Sequence, residues 1–424
     1  MMRLDATTAR DLNIDRLRDA LDRTRTDAGR DALRRRFRSP LSNATEIRDV
    51  QQALSALLAL ERPVRLDDRI LQGATRYADS RVVLARGNRA RAWVSEGWYR
   101  LRYADVIREL RAGRHAVHLL WRTGSAAVER LRAAPESALL SEMADRLEAR
   151  LETLHAALRV KPLLWVDRRL RGEAKEVIVE VVDMLGDLDA LQSMALAGAE
   201  EGWCTPDILE GAVRLEADGA VHPLLSGAAP NPIRLGGGEP LVFLTGPNMA
   251  GKTTYLRTVG LVVYLAQLGM NVPARSARLA PFRALFSSLN PVDDLRDGVS
   301  YFYAEVLRVR EAAALLADGE PTLVLFDEVF RGTNLKDALE ASEHVIRGFA
   351  DARHGASIFS SHLSELSEVL SDHPSVRFSR FTGEIRDGQP VFDFRIEDGV
   401  SDQRFGMLLL RHARVPELIA RLRS

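Results

Sequence analysis

Leu241-Val242-Phe243-Leu244-Thr245 runs straight into Gly246-Pro247-Asn248-Met249-Ala250-Gly251-Lys252-Thr253-Thr254. The uncharged apolar run predicts a buried strand. The segment after it fits the pattern GxxxxGK[ST] and leads into a predicted helix, the strand–loop–helix setting that a P-loop requires. In such a loop the backbone amides face phosphate oxygens, a lysine neutralises the β and γ groups, and the hydroxyl after it ligates Mg²⁺. Lys252 and Thr253 stand at those positions, which predicts a site for ATP and Mg²⁺. The bland competitor is a glycine turn.

Working outward, Thr322-Leu323-Val324-Leu325-Phe326 is a second apolar strand that ends in Asp327-Glu328. Open α/β sheets bind ligands at that strand end. Asp327 is suited to hold Mg²⁺ through its water shell, and Glu328 to orient or deprotonate an attacking water. An Asp-Glu pair alone more often starts a solvated helix; its place after a strand and downstream of a P-loop favours catalysis. A third strand, Ser357-Ile358-Phe359-Ser360, leads to Ser361-His362, where the histidine can sense a terminal phosphate. Read by itself, His362 would be a satisfied core histidine. The order P-loop, acidic pair, histidine reverses that preference.

The surrounding chain has two textures. Up to about residue 200 the periodicity is helical, as in the stripe Leu140, Met143, Leu147, Leu151, Leu154 and Leu158, which Pro162 is expected to end. From Asp218 onward, Gly and Pro punctuate short apolar runs, including Val391 to Ile396, that read as strands between helices. Gly236-Gly237-Gly238 precedes a strand, so it reads as a plain loop. The expected architecture is an α-helical core domain over 1–203 followed by an α/β P-loop NTPase domain over 204–424, with the boundary between Trp203 and His222.

Composition limits the alternatives. The 424 residues carry 59 basic and 59 acidic side chains, so any nucleic-acid contact must come from a local patch. Hydrophobic residues at 46% and charged residues at 28% fit a globular chain. Cys204 is the only cysteine, which excludes an internal disulfide framework and cysteine-cluster metal sites. The apolar stretch from Val259 to Met270 is too short for a membrane span, and the N-terminal region has no signal-like apolar core. A cytoplasmic protein is expected. No HExxH, GxSxG, EF-hand or CxxC pattern occurs.

The motif strings are more specific than a generic P-loop. Thr245 to Thr254 resembles the TGPNMGGKST of the MutS family of DNA mismatch-repair ATPases, and Asp327-Glu328-Val329-Phe330-Arg331-Gly332-Thr333-Asn334 is similar to its DExxRGTS. Asp293-Asp294-Leu295, Gly298, Ser300, Phe302 and Glu305 resemble its DDLxxGxSxFxxE loop, and Ser361 to Leu366 resembles its THxxEL. Asn231-Pro232-Ile233-Arg234-Leu235 is similar to the family's segment near the adenine pocket, which implies a nucleotide contact for Ile233. Gly399, Ser401, Phe405-Gly406 and Val415-Pro416 resemble the closing pattern. In the helical half, Leu4 to Thr7, Leu21 to Thr26 and Ser39 to Leu41 resemble the start of the family core, and Leu188 to Ser193 its end. The resemblance implies an ABC-like ATPase domain, ATP and Mg²⁺, and a homodimer whose composite sites receive Ser300 from the partner. A plain N-cap is the bland reading of Ser300.

The departures bear on DNA. The chain opens at the core, so the mismatch-recognition and connector domains are expected to be missing and the clamp reduced or absent. The family's Phe-x-Glu wedge has no counterpart ahead of the core; the triplet Phe326-Asp327-Glu328 is the strand end described above. DNA remains an expected partner, through Arg34-Arg35-Arg36-Phe37-Arg38 or the aromatic–basic run Trp93, Trp98, Tyr99, Arg100, Arg102 and Tyr103. Helical packing is the alternative for both, with Tyr99 and Tyr103 on one helix stripe. Residues 65–180 match no motif. The expected function is an ATP-binding and hydrolysing protein that acts on DNA, in mismatch repair or related processing, with dimer closure moving the helical core and other repair proteins as further partners. The rival is a nucleotide-switched protein-interaction module; an accessory to a transporter fits the TGPNM string poorly.

Overall fold

The computed structural model describes residues 1–80, 89–289, 301–363, 365–386, 389–403, 410 and 414–421. Ser300 and the rest of the stretch from Asp293 to Val299 lie outside them, as do Phe405 and Gly406. In chain order, β1 (Arg3–Leu4) precedes helices α1 (Ala6–Asp11), α2 (Ile14–Leu21), α3 (Asp27–Phe37), α4 (Ala44–Leu58), α5 (Asp68–Asp79), α6 (Arg89–Arg102), α7 (Ala104–Ala133), α8 (Ala138–Leu158), α9 (Leu163–Arg171) and α10 (Lys175–Glu200). Strands β2 (Asp207–Ile208), β3 (Arg214–Ala220), β4 (Asn231–Gly236) and β5 (Leu241–Thr245) lead to α11 (Lys252–Ala266), β6 (Ser276–Leu279), β7 (Ala284–Ser288) and α12 (Tyr301–Ala317). Then come β8 (Thr322–Asp327), α13 (Leu335–Ala350), β9 (Gly355–Ser360), α14 (Glu365–Val369), β10 (Val376–Phe381), β11 (Glu384–Arg386), β12 (Gln389–Val391), β13 (Ile396–Asp398) and α15 (Val415–Arg421).

These elements form two compact units, one of Met1–Ala20, Ser39–Arg48 and Glu201–Ser424, the other of Leu21–Arg38 and Asp49–Glu200. The division differs from the expected 1–203 and 204–424, because the first twenty residues and a short segment after α3 belong with the α/β part. The reason is local pairing. Strand β1 adds to the main sheet in parallel with β7, Arg3 opposite Ala284 and Leu4 opposite Leu285. The buried Asp11 carboxylate accepts from Ser287 Oγ at 2.7 Å and from the Leu289 amide at 2.9 Å.

The α/β unit is built on a seven-stranded sheet in the order β1-β7-β8-β9-β5-β10-β13, parallel except for β13. Strands β5, β7, β8 and β9 are buried along their whole length. Such burial on both faces is what a covered parallel sheet demands. Phe243, Phe326, Phe349 and Phe359 are part of the core on one side. Helix α11, apolar nearly all round, is buried from Tyr255 to Ala266 apart from Arg257. A four-stranded sheet, β2-β6-β3-β4, and the hairpin β11-β12 complete the unit. The strand expected over 391–396 is instead the end of β12 and the start of β13, since Phe394 adopts a φ of 57° that interrupts extended backbone.

The helical unit packs α3 along α10. Gly186 permits the approach: a Cβ there would lie 2.7 Å from the Ala28 carbonyl oxygen. The Asp189 carboxylate fastens the turn before α3, accepting from the Arg25 and Thr26 amides, each at 2.9 Å, and from Thr26 Oγ1 at 2.8 Å. Helix α7 has 30 residues and so runs about 45 Å at 1.5 Å per residue. The predicted stripe on α8 is buried apart from the half-buried Met143. That helix closes at Arg159, before Pro162, which caps the start of α9. Tyr103 follows α6 instead of continuing it, although its ring still contacts Tyr99 at 5.5 Å. No described helix is long and apolar enough to cross a membrane.

Candidate functional site

The loop between β5 and α11 folds as it does because two of its glycines adopt backbone that side-chain-bearing residues avoid. Gly246 has a φ of 145°, and a Cβ there would meet the Phe381 carbonyl oxygen at 2.7 Å. Gly251, at a φ of 106°, is the N-cap of α11 and supplies no side-chain acceptor, so the first-turn amides of that helix are left for another partner. A helix N-terminus carries partial positive charge, which suits an anion. Lys252 is 5% exposed and turns back on the loop, its Nζ donating to Gly246 O at 2.6 Å and to Pro247 O at 3.3 Å. Burial pushes its ammonium below the usual lysine range, opposed by Glu328 and Asp327.

The end of β8 meets this loop. Thr253 Oγ1 and Ser360 Oγ both hydrogen-bond the Asp327 carboxylate, one to each oxygen. Glu328 leaves the strand at a φ of 52° while its amide donates to Ser360 O at 2.9 Å. Its carboxylate lies 3.9 Å from Lys252 Nζ and 3.4 Å from His362 Nδ1, and it forms an ion pair with Arg331. Burial raises the affinity of Glu328 for a proton, but the His362 hydrogen bond and the Arg331 and Lys252 charges outweigh it, and the carboxyl sits below its ordinary range. Behind this turn, buried Glu305 on α12 accepts from the Arg331 and Gly332 amides, each at 3.4 Å. Burial raises Glu305 above the usual glutamate range.

A cavity of about 560 Å³ opens beside these groups. Pro247, Asn248, Met249, Gly251, Lys252, Thr253, Thr254 and Glu328 line it. Gly246 and Ala250 belong to the loop but do not line the cavity, and Asp327 and His362 reach it through Thr253 and Glu328. Ile233 is fully buried in β4 and does not line this cavity. Its neighbour Asn231 lines the cavity instead, donating to Phe394 O at 2.9 Å and accepting from the Ile396 amide at 2.8 Å.

Several lining residues escaped the sequence reading. The loop from His222 to Ala229 forms one wall, and Phe381, Phe394 and Arg331 complete it. His222 is buried, accepts from the Leu224 amide at Nδ1, and is pushed down to about 4 by burial and by Arg257 and Arg16. A Gly and Ala cluster at Gly227-Ala228-Ala229 signalled a loop there, but nothing in the sequence aimed it at the P-loop pattern.

A family model described as MutS domain V matches residues 242–423. Proteins named DNA mismatch repair protein MutS from Staphylococcus aureus strains JH9 and Newman are 29% identical over 293 residues, covering 67% of this chain and 33% of each relative. The chain spans about a third of the length of the curated relatives it matches.

Proposed function

We propose that this chain is a MutS-family protein that binds ATP and Mg²⁺ at the cavity between β5, β8 and α11 and hydrolyses the nucleotide as an ABC-like P-loop ATPase. The observation that carries the reading is the convergence of Lys252, Thr253 and Glu328 on one cavity at the N-terminus of α11. Lys252 and the first-turn amides neutralise the phosphates. Thr253 Oγ1 and Asp327, an adjoining hydroxyl and carboxylate, are the hard oxygen donors that would hold Mg²⁺. Bound there, Mg²⁺ would supply charge for the phosphoryl oxygens. Glu328, ionised at neutral pH and held by its three cationic or hydrogen-bonding neighbours, orients the attacking water more than it takes a proton from it. His362 positions Glu328 and stands where a terminal phosphate is sensed.

Action on DNA, in mismatch repair or related processing, is the wider part of the proposal, supported by the relatives' name. So are a homodimer closed by ATP, further repair proteins as partners and a cytoplasmic setting. The contribution of Ser300 across the dimer rests on the sequence resemblance alone. Steady-state turnover and ATP titration of the full chain test the core of the reading. Glu328→Gln should lower turnover by about 10²-fold or more while ATP affinity stays within a factor of about three. Undiminished turnover would remove Glu328 from the mechanism.

A further inference from the structure

We propose that the helical unit carries a binding site for single-stranded nucleic acid on the face shared by α6, α7 and the end of α8. The inference shares with the functional reading only the expectation that nucleic acid is a ligand, and it depends on nothing in the nucleotide cavity.

A cavity of about 690 Å³ lies between these helices. Arg111, Arg114, Arg159 and Lys161 line it against a single carboxylate, Glu96, which accepts the Leu163 amide at 2.7 Å. The placement follows from helical spacing: Arg111, Arg114 and His118 recur at three and four residues on α7, and His155 and Arg159 at four on α8. One turn beyond His118, Arg122 begins a second cavity of about 570 Å³, lined also by Arg62, Arg65 and Arg130 and by no carboxylate. From Arg111 to Arg130 the track runs roughly 29 Å along α7. At the strand spacing of a duplex that length holds on the order of eight phosphates, and fewer if the strand is stretched.

Three of these cations, Arg111, Arg122 and Arg159, differ from others in the unit. Arg34, Arg132, Arg169 and Arg171 are engaged by nearby carboxylates. Among the described residues, Arg111, Arg122 and Arg159 enter no ion pair. In a chain of zero net charge, this is a local basic excess.

The aromatic groups decide the form of the ligand. Trp93 lines the first cavity and is 56% exposed, and Trp98 nearby is 53% exposed. Trp121 stacks between His118 and His155, with ring centroids 5.7 Å and 4.6 Å away, so two cavity-lining imidazoles are held as flat faces. A duplex keeps its bases stacked inside and offers only a phosphate ridge. Concave basic cavities with exposed ring faces suit an unpaired strand, whose phosphates pair with arginine while its bases stack on aromatic rings.

The test is fluorescence anisotropy of the full chain with labelled oligothymidylate and oligouridylate of about twenty nucleotides, and with a duplex of equal length, over a salt series. Either single strand should bind more tightly than the duplex, with a logarithmic salt slope of about −3 if four phosphates are neutralised. Arg111→Glu with Arg159→Glu should weaken binding at least about tenfold and flatten the slope, and Trp93→Ala should weaken it about tenfold with the slope kept. All three residues are exposed, and ATP turnover and the thermal melting curve should not move. If the double variant melts early, Arg122→Glu with Arg130→Glu serves in its place. Duplex binding as tight as single-strand binding, or unaffected by these variants, overturns the inference and leaves DNA action intact. Absence of binding to any nucleic acid overturns both, while ATP turnover in the same sample keeps the ATPase reading.

Discussion

The cavity beside α11 and the basic cavities of the helical unit hold charge in opposite ways. In the α/β unit Lys252, Glu328, Arg331 and His362 are packed around one another, and Lys252 and Glu328 are largely withdrawn from water. In the helical unit Arg111, Arg122 and Arg159 stand exposed on helix faces. Burying a charge is tolerable only when it is paired and hydrogen-bonded, so the first arrangement must be assembled completely or not at all. Exposed cations need no such completion; each adds a modest, salt-dependent increment as counterions are released. Single substitutions should therefore act steeply in the first region and gradually in the second.

The sharpest way to break this contrast is Lys252→Ala. Loss of a charged hydrogen-bond donor to phosphate, about 1.5–3 kcal/mol, should weaken ATP binding by roughly 10- to 100-fold. Calorimetric titration of ATP, beside anisotropy with oligothymidylate, should show the nucleotide affinity falling and the strand affinity unchanged. A parallel loss of both would show that the regions are not separable.

Gly186→Ala tests the helical unit through packing. The added Cβ would press on the Ala28 carbonyl and should cost about 1–3 kcal/mol, read as a lower urea midpoint by circular dichroism. An unchanged midpoint would mean that α3 and α10 have room at that crossing.

An effect confined to acid pH, and absent at pH 7, belongs to His222. Its folded value, about 4, lies below the ordinary 6.5, so the unfolded chain takes up the proton first as pH falls. Stability is therefore full above 6.5 and is lost on descent from 6.5 toward 4, by on the order of 2 kcal/mol at pH 5. His222→Gln should remove that part of the pH dependence in urea unfolding at pH 7 and pH 5. An equally steep dependence in the variant would assign it to other groups.

Much of the α/β unit was legible because its information is local. A P-loop works through consecutive backbone amides, so Gly246, Gly251, Lys252 and Thr253 must be neighbours in sequence, and fully buried parallel strands announce themselves as apolar runs. The strand expected over 391–396 failed because periodicity cannot reveal the positive φ at Phe394. Ile233 was placed at the site by resemblance, yet it is buried within β4, and Asn231, two residues earlier on the same strand face, is the one that lines the cavity. The helices of residues 65–180 were legible as helices, but periodicity on one helix does not say which other helix its polar face will meet.

By itself, the sequence determined the helical and α/β textures, the loop before α11, and the order in which lysine, acidic pair and histidine follow one another. Tertiary structure decided the rest. It alone added the first strand to the sheet beside β7, brought His362 within 3.4 Å of Glu328, and set the loop around His222 and the loop before α11 on one cavity. It also set Arg111 on α7 and Arg159 at the end of α8 around one cavity. The physical reason is common to all of these: backbone conformation and capping depend on near neighbours, whereas the meeting of distant side chains depends on how buried apolar faces pair, and many pairings satisfy any single face.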